Sequence, residues 1–399
     1  MLPINRAEKL MSIFMLLFFS GSLNVFVSSL SLTLIRYSFS AIVLLLLIMR
    51  LKRTLDALKS APFIVLLIAL SSASFLWSEM PEITTNSIRG EILPMAIFSL
   101  YLASRFSLRE QLELVVSALG ISTLLSIFVV ITNPAVGVHS NDVFAGAWRG
   151  VFEQKNTLSA HMALTVISCF TLSIKNSDRG SRLLGQIGLA AAIGTVILST
   201  SKTGLIVSLL ILAILIAYRF YQWKGKETIL FLDLSAMALA STAVVVFSFW
   251  NPIMYGLGRD PTLTGRTLIW EIVIQKIWQK PLLGYGVSAF WATGSPYAVE
   301  VGINVANDYI PPHSHNGFLE LALSIGLVGL TLFVVDFCQS YGLALQLAYK
   351  AKESSKIWPF AFLSFLLIYN MTESILMRLA TIFWVVYVAT SISLKLKKQ

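Results

Sequence analysis

Residues 312–347 read PHSHNGFLELALSIGLVGLTLFVVDFCQSYGLALQL, and from Gly317 onward only Glu320 and Asp336 are charged. About twenty apolar residues suffice to cross a bilayer core as a helix. This run exceeds that, so it is long enough to bend or to extend past the membrane. Two of the four histidines, His313 and His315, stand directly before it. Nothing apolar needs an imidazole there.

The rest of the chain repeats the apolar half of that pattern. Of 399 residues, 56% are hydrophobic and 13% charged, against about 25% charged in soluble domains. Twelve candidate spans lie near 10–30, 33–50, 61–77, 91–104, 111–132, 155–174, 183–200, 203–219, 229–250, 316–347, 358–372 and 376–394. In lipid each backbone polar group must be satisfied internally, which favours helices. The expectation is an all-α integral membrane protein of about twelve transmembrane helices, forming one polytopic domain over 1–399. No cleavable signal peptide is expected, because the first run lacks a small-residue cleavage site and more spans follow. Cys169 and Cys338 both fall inside apolar runs, which argues against a disulfide framework or a cysteine metal site.

The net charge of +10 reads as topology, not as a nucleic-acid signal. Basic residues cluster in alternate gaps: Arg6 and Lys9; Arg50, Lys52, Arg53 and Lys59; Arg105 and Arg109; Lys175, Arg179 and Arg182; Arg219, Lys224 and Lys226; Lys350, Lys352 and Lys356; Lys395, Lys397 and Lys398. The positive-inside rule then places both termini in the cytoplasm, as in a bacterial inner membrane. Two outward gaps are long, 133–154 and 251–315, and the second is the one sizeable extramembrane, periplasmic piece. It contains GRTLIWEIVIQKIWQKPLLGYG, residues 265–286, with Leu268, Ile269, Ile272, Ile274, Ile277 and Trp278 alternating with Glu271, Gln275, Lys276 and Lys280. That period predicts an amphipathic helix on the membrane surface or capping the bundle. Pro281 ends it, and Gly284 and Gly286 supply a turn.

The outer face holds few cations, and they recur in short motifs. Arg149, Lys155 and Asn156 lie in WRGVFEQKN, Lys202 in the hairpin STSKTG, and Arg259 and Arg266 in GRDPTLTGR. Outward cations beside lipid suit a lipid-attached anion such as a lipid pyrophosphate, whose departure develops negative charge. A neutral histidine takes a proton from a hydroxyl near pH 7. His315, at the amino end of a long helix, faces the positive end of its dipole, which disfavours an imidazolium. A base beside cations is what glycosyl transfer from a lipid pyrophosphate requires. No metal or other cofactor is needed: no Asp-x-Asp pair occurs, and His313 with His315 lacks a third ligand nearby in sequence.

These residues also carry a resemblance. HN, nine residues, then GLVG (His315, Asn316, Gly326, Gly329) is similar to the signature of the bacterial O-antigen ligase and polysaccharide polymerase family. The 264–286 segment resembles the outer-loop motif of its ExoQ-type exopolysaccharide polymerases, and RGVFEQKN, STSKTG and NMTES are similar to further family segments. The likeness runs over roughly residues 75 to 390. It implies a GT-C-like helical glycosyltransferase facing the periplasm, taking a glycan from undecaprenyl pyrophosphate and inverting the anomeric centre. His315 maps to the base and Arg266 to the outer-loop arginine. Lys202 stands where the family usually has arginine, keeping the charge and losing the two-pronged geometry. An ExoQ-like polymerase is favoured over a ligase to lipid A core, with a protein O-glycosyltransferase third.

The substrate-binding set is therefore Arg266, Lys202, Arg149, Lys155, His313, Arg259, Asn316 and Glu373. Plainer readings stand beside it. Glu320, Asp336, Glu373 and Arg378 are expected to pair structurally. Glu320 lies about 140° around a helix from His315 and is no obvious orienter. Arg36 either snorkels to the outer interface or joins the site. Trp148, Trp250 and Trp270 read as interface anchors. A transporter or accessory protein, like the bicarbonate-uptake relatives of this family, is the rival; transporters often show two similar halves, and none are evident.

Overall fold

The computed structural model describes residues 3–140, 144–173, 179–220, 266–305, 310–349, 351, 356–377 and 381–396. In chain order the helices are α1 (Pro3–Phe19), α2 (Ser29–Met49), α3 (Leu51–Ser60), α4 (Pro62–Ala73), α5 (Pro81–Ser87), α6 (Leu93–Arg105), α7 (Leu108–Thr132) and α8 (Pro134–Gly137). They continue as α9 (Lys155–Ser173), α10 (Arg179–Leu198), α11 (Lys202–Phe220), α12 (Arg266–Gln279), α13 (Pro296–Val305), α14 (Gly317–Tyr349), α15 (Trp358–Tyr369) and α16 (Ile382–Lys395). Among the described residues there is no strand, only one antiparallel bridge between Val138 and Trp148.

Among the described residues the fold is all-helical, which satisfies the backbone polar groups within each segment. Helices α2, α7, α10 and α14 are long and apolar enough to cross a membrane. Helix α3 and Pro62–Leu76 form a bent pair, turned by 92°, that counts as a fifth only if taken together as one span. Every expected span that falls on described residues contains a helix, but α4, α6, α15 and α16 have only 12, 13, 12 and 14 residues. The ninth expected span, 229–250, lies outside the described residues.

The first helix starts earlier than its apolar run. Glu8, buried inside α1, accepts from Arg50 at 2.5 Å and from Arg105. A charged turn can therefore sit within the bundle. Gly21, with φ 75°, follows the helix end, a backbone state that only glycine takes without penalty. Arg36 pairs with Glu91 at 3.0 Å.

The centre of the bundle is aromatic. Trp358, Phe362, Phe365, Tyr369, Trp384 and Tyr387, on α15 and α16, are fully buried. Asp336 of α14 is equally buried and holds Lys395 at 2.5 Å, with Tyr387 and Ser391 both donating to its other oxygen at 2.7 Å. This is the structural pairing expected of that acid.

Helix α14 is broken, not continuous. Ile325 and Gly326 leave helical geometry, and Gly326 has φ 69°. The segment after α12 fills the gap. Tyr285 N–H donates to Leu323 O at 2.8 Å, Gly286 N–H to Ser324 O at 3.0 Å, and Leu327 N–H to Pro281 O at 2.7 Å. The break's freed polar groups are thus satisfied, a condition for non-helical backbone at membrane depth. A Cβ on Gly326 would meet Leu282 O at 2.0 Å, and one on Gly329 would meet Ile325 Cγ1 at 2.3 Å. Both glycines of GLVG are explained by close approach.

Helix α12 caps the bundle. Ile269, Val273 and Ile277 pack with Tyr285, Phe290, Val301, Ala322 and Leu323. Leu268, Ile274 and Trp278 stay exposed, so the buried stripe is narrower than the sequence suggests. Lys276, expected on the polar side, is buried and neutralised by Glu300 at 2.6 Å.

Candidate functional site

The loop joining α15 to α16 carries Glu373, and Asn370 shapes it. Asn370 Oδ1 accepts from Ile375 and Leu376 N–H at 3.0 and 3.1 Å, while its Nδ2 donates to Leu366 O at 2.7 Å. Gly317 N–H donates to Asn370 O at 2.9 Å, and a Cβ on Gly317 would lie 2.0 Å from Asn370 Oδ1. The glycine after HN therefore lets the start of α14 lie flat against this loop.

Held this way, the Glu373 carboxylate is buried and is contacted on both oxygens, by Arg266 on one and His315 on the other. Arg266 Nη2 donates to Oε1 at 2.9 Å, and Arg266 Nη1 donates to Thr372 O at 2.6 Å. His315 Nδ1 lies 3.2 Å from Oε2. Asn156 Nδ2 also donates to Oε1, at 3.2 Å. Burial pushes this carboxyl up, but the hydrogen bond from His315 and the charge of Arg266 outweigh it, so it ionises below the usual glutamate range.

The histidine strand is fixed from the other side. Glu320 Oε2 accepts from Ser314 N–H, Ser314 Oγ and Trp291 Nε1 at 3.0, 2.9 and 3.0 Å. Trp270 Nε1 donates to Ser314 O at 2.8 Å, so this tryptophan braces the strand. Glu320 thereby holds the segment that carries the histidines. Asn316 Oδ1 accepts from Phe318 and Leu319 N–H at 3.0 and 3.1 Å. That is an N-cap for α14, and it accounts structurally for the asparagine of HN. His315 sits at φ 53°, a strained state for a non-glycine residue. Its N–H donates to His313 Nδ1 at 3.1 Å, with ring centroids 4.1 Å apart. Its Nε2 makes no hydrogen bond among the described residues.

The remaining candidates fall into three groups. Asn156 joins the hairpin to the cluster, since Ser201 Oγ donates to its Oδ1 at 3.2 Å. Lys155 braces the same hairpin, donating to Thr200 Oγ1 at 3.1 Å and lying 4.2 Å from the Phe144 ring centre. Lys202 opens α11 with an exposed side chain and has no ion pair among the described residues. Arg149 bonds the main-chain oxygens of Val136 and Ala135 at 2.8 and 3.0 Å, stitching its own loop. Arg259 and Arg378 lie outside the described residues.

Sequence reasoning placed Glu373 in the set but did not see it as the partner of His315. The two lie 58 positions apart, and no local spacing signals the contact. His313, His315 and Glu373 bring ligand atoms within 4.8 Å of one another, so the third ligand missing locally in sequence exists in space. Arg266 sets a fixed positive charge on the same carboxylate, and His313 Nδ1 already accepts an N–H. That set suits a hydrogen-bonded imidazole better than a cation.

These features define an all-helical membrane protein with an imidazole–carboxylate–guanidinium cluster at one end of its bundle. Residues 187–334 match the family described as O-antigen ligase. The chain resembles the exopolysaccharide production protein ExoQ of Rhizobium meliloti, with 27% identity over 210 residues, 50% of this chain and 47% of that protein. It is also similar to putative polysaccharide ligases of Rickettsia prowazekii and Rickettsia conorii, 36% and 35% identical over 85 residues, 20% of this chain in each case. The chain thus spans about half the length of ExoQ and about a fifth of the Rickettsia proteins. The likeness is to the O-antigen ligase family and to proteins named for exopolysaccharide production or polysaccharide ligation.

Proposed function

We propose that the protein transfers a glycan from undecaprenyl pyrophosphate to an acceptor hydroxyl on the periplasmic face of a bacterial inner membrane, with both termini cytoplasmic and about twelve spans. The acceptor oxygen attacks the anomeric carbon as the bond to pyrophosphate breaks. The configuration inverts, undecaprenyl pyrophosphate leaves, and the hydroxyl proton passes to His315 Nε2.

The observation that carries this reading is the His315–Glu373 contact at 3.2 Å. With Nδ1–H donating to the carboxylate, Nε2 keeps its lone pair and is the nitrogen left unengaged. Arg266 and, in the adjoining hairpin, Lys202 supply positive charge for the departing pyrophosphate. The scheme uses no metal. Polymerisation onto a growing glycan is preferred to ligation onto lipid A core, because ExoQ is similar over 50% of the chain and the putative ligases over 20%.

The test is transfer by purified protein from a defined lipid-linked glycan, scored for chain growth and for ligation to core lipid. His315→Ala should lose about 10²–10⁴-fold in transfer, the usual contribution of a general base, while remaining folded. Wild-type turnover by that variant would remove the base.

A further inference from the structure

The far end of the bundle holds a second charged feature. Helix α14 begins beside the histidines, and α16 begins just beyond the Glu373 loop. Lys395, the last residue of α16, is about 20 Å further along that helix. There a cavity of 1080 Å³ opens, lined by Lys52, Arg53, Asp56, Lys59, Arg105 and Lys395.

The charges around it are unbalanced. Glu110 in its wall is held by Lys9 at 3.2 Å. Behind the wall, Glu8 is held by Arg50 and Arg105, and Asp336 by Lys395. Asp56 is the one lining carboxylate outside these pairs. Lys52, Arg53 and Lys59 belong to none of the ion pairs among the described residues. Ser107 and Leu108, at the amino end of the 25-residue α7, also line the cavity, and the capping box of Ser107 with Glu110 closes that helix end, so the excess positive charge comes from the side chains.

The setting fits a lipid. Helix α3 turns by 92° from the apolar helix that follows it, so it lies along the membrane plane when that helix crosses. Its Thr54 and Ala57 are buried, while Leu51 and Leu55 are exposed at 54% and 42%. An interfacial helix shows this pattern, with apolar side chains toward acyl tails and cations at headgroup level. Exposed leucines beside a basic cavity would be out of place facing water alone.

We propose that this cavity binds the phosphodiester headgroup of an anionic phospholipid, held by Lys52, Arg53 and Lys59 at the end of the bundle away from His315. The test uses the full chain in nanodiscs and native mass spectrometry. Cardiolipin or phosphatidylglycerol should be retained in preference to phosphatidylethanolamine. The triple variant K52Q/R53Q/K59Q should bind the anionic lipid on the order of a hundredfold more weakly, from about a fivefold effect per removed charge. Asp56→Asn, which removes the opposing carboxylate, should strengthen binding. Equal lipid retention by wild type and the triple variant would overturn the proposal. So would inorganic phosphate or pyrophosphate displacing the lipid at millimolar concentration, which would mark a site for a soluble anion. Transfer activity is not the readout, so failure here leaves the His315 reading untouched.

Discussion

Two buried carboxylates, Asp336 and Glu373, receive nearly the same chemistry in different surroundings. Asp336 takes Lys395, Tyr387 and Ser391, all from one face of α16. Its partners share a helix, and none faces outward with a free proton acceptor. Glu373 takes Arg266, Asn156 and His315 from three segments remote in sequence. The side chains of Arg266 and His315 keep 16% and 19% exposure, against 7% for Lys395. A buried acid closed off by its own helix neighbour locks the bundle. One that gathers distant loops and leaves an imidazole nitrogen open can take part in chemistry.

Exchanging each acid for its amide should separate the two roles, and this is the largest expected contrast. Asp336→Asn leaves the Lys395 ammonium buried without its counter-charge, which should destabilise the fold by about 3–5 kcal/mol. Transfer per folded molecule should stay near wild type. Glu373→Gln should do the reverse, with transfer falling on the order of a hundredfold and thermal stability in detergent falling less, because its partners reach solvent. If both amides lost stability alike and kept transfer alike, the distinction would fail.

A smaller effect sharpens the same point. The Glu373 carboxyl ionises below its ordinary value of 4.5. Its contribution to stability is therefore complete above that value and is lost as pH falls through the lowered one. The stability difference between wild type and Glu373→Gln should be flat from about pH 5 to 8 and shrink only in stronger acid. A difference that changed near pH 7 would contradict this assignment to the carboxyl.

Much of this was legible in the chain. Apolar runs announced the helices, and HN before a long run marked the candidate site. Three things were not legible. The first span is expected near residues 10–30, so the place of Glu8 inside α1 goes unread, because its partners Arg50 and Arg105 are remote. Gly326 reads only as part of GLVG, and the helix break at it is not foreseen, since the segment that fills the break comes from 281–286. Arg149 and Arg266 looked alike as outward cations, yet one bonds main-chain oxygens and the other a carboxylate. Side-chain type is local, and partnership at long range is not.

The most direct measurement is a double-mutant cycle on transfer rate with His315→Ala and Glu373→Gln, alone and combined. If Glu373 acts by orienting the His315 imidazole, adding Glu373→Gln to His315→Ala should change the residual rate by less than about twofold. Full multiplication of the two losses would mean that the residues act independently, and would contradict the site described here.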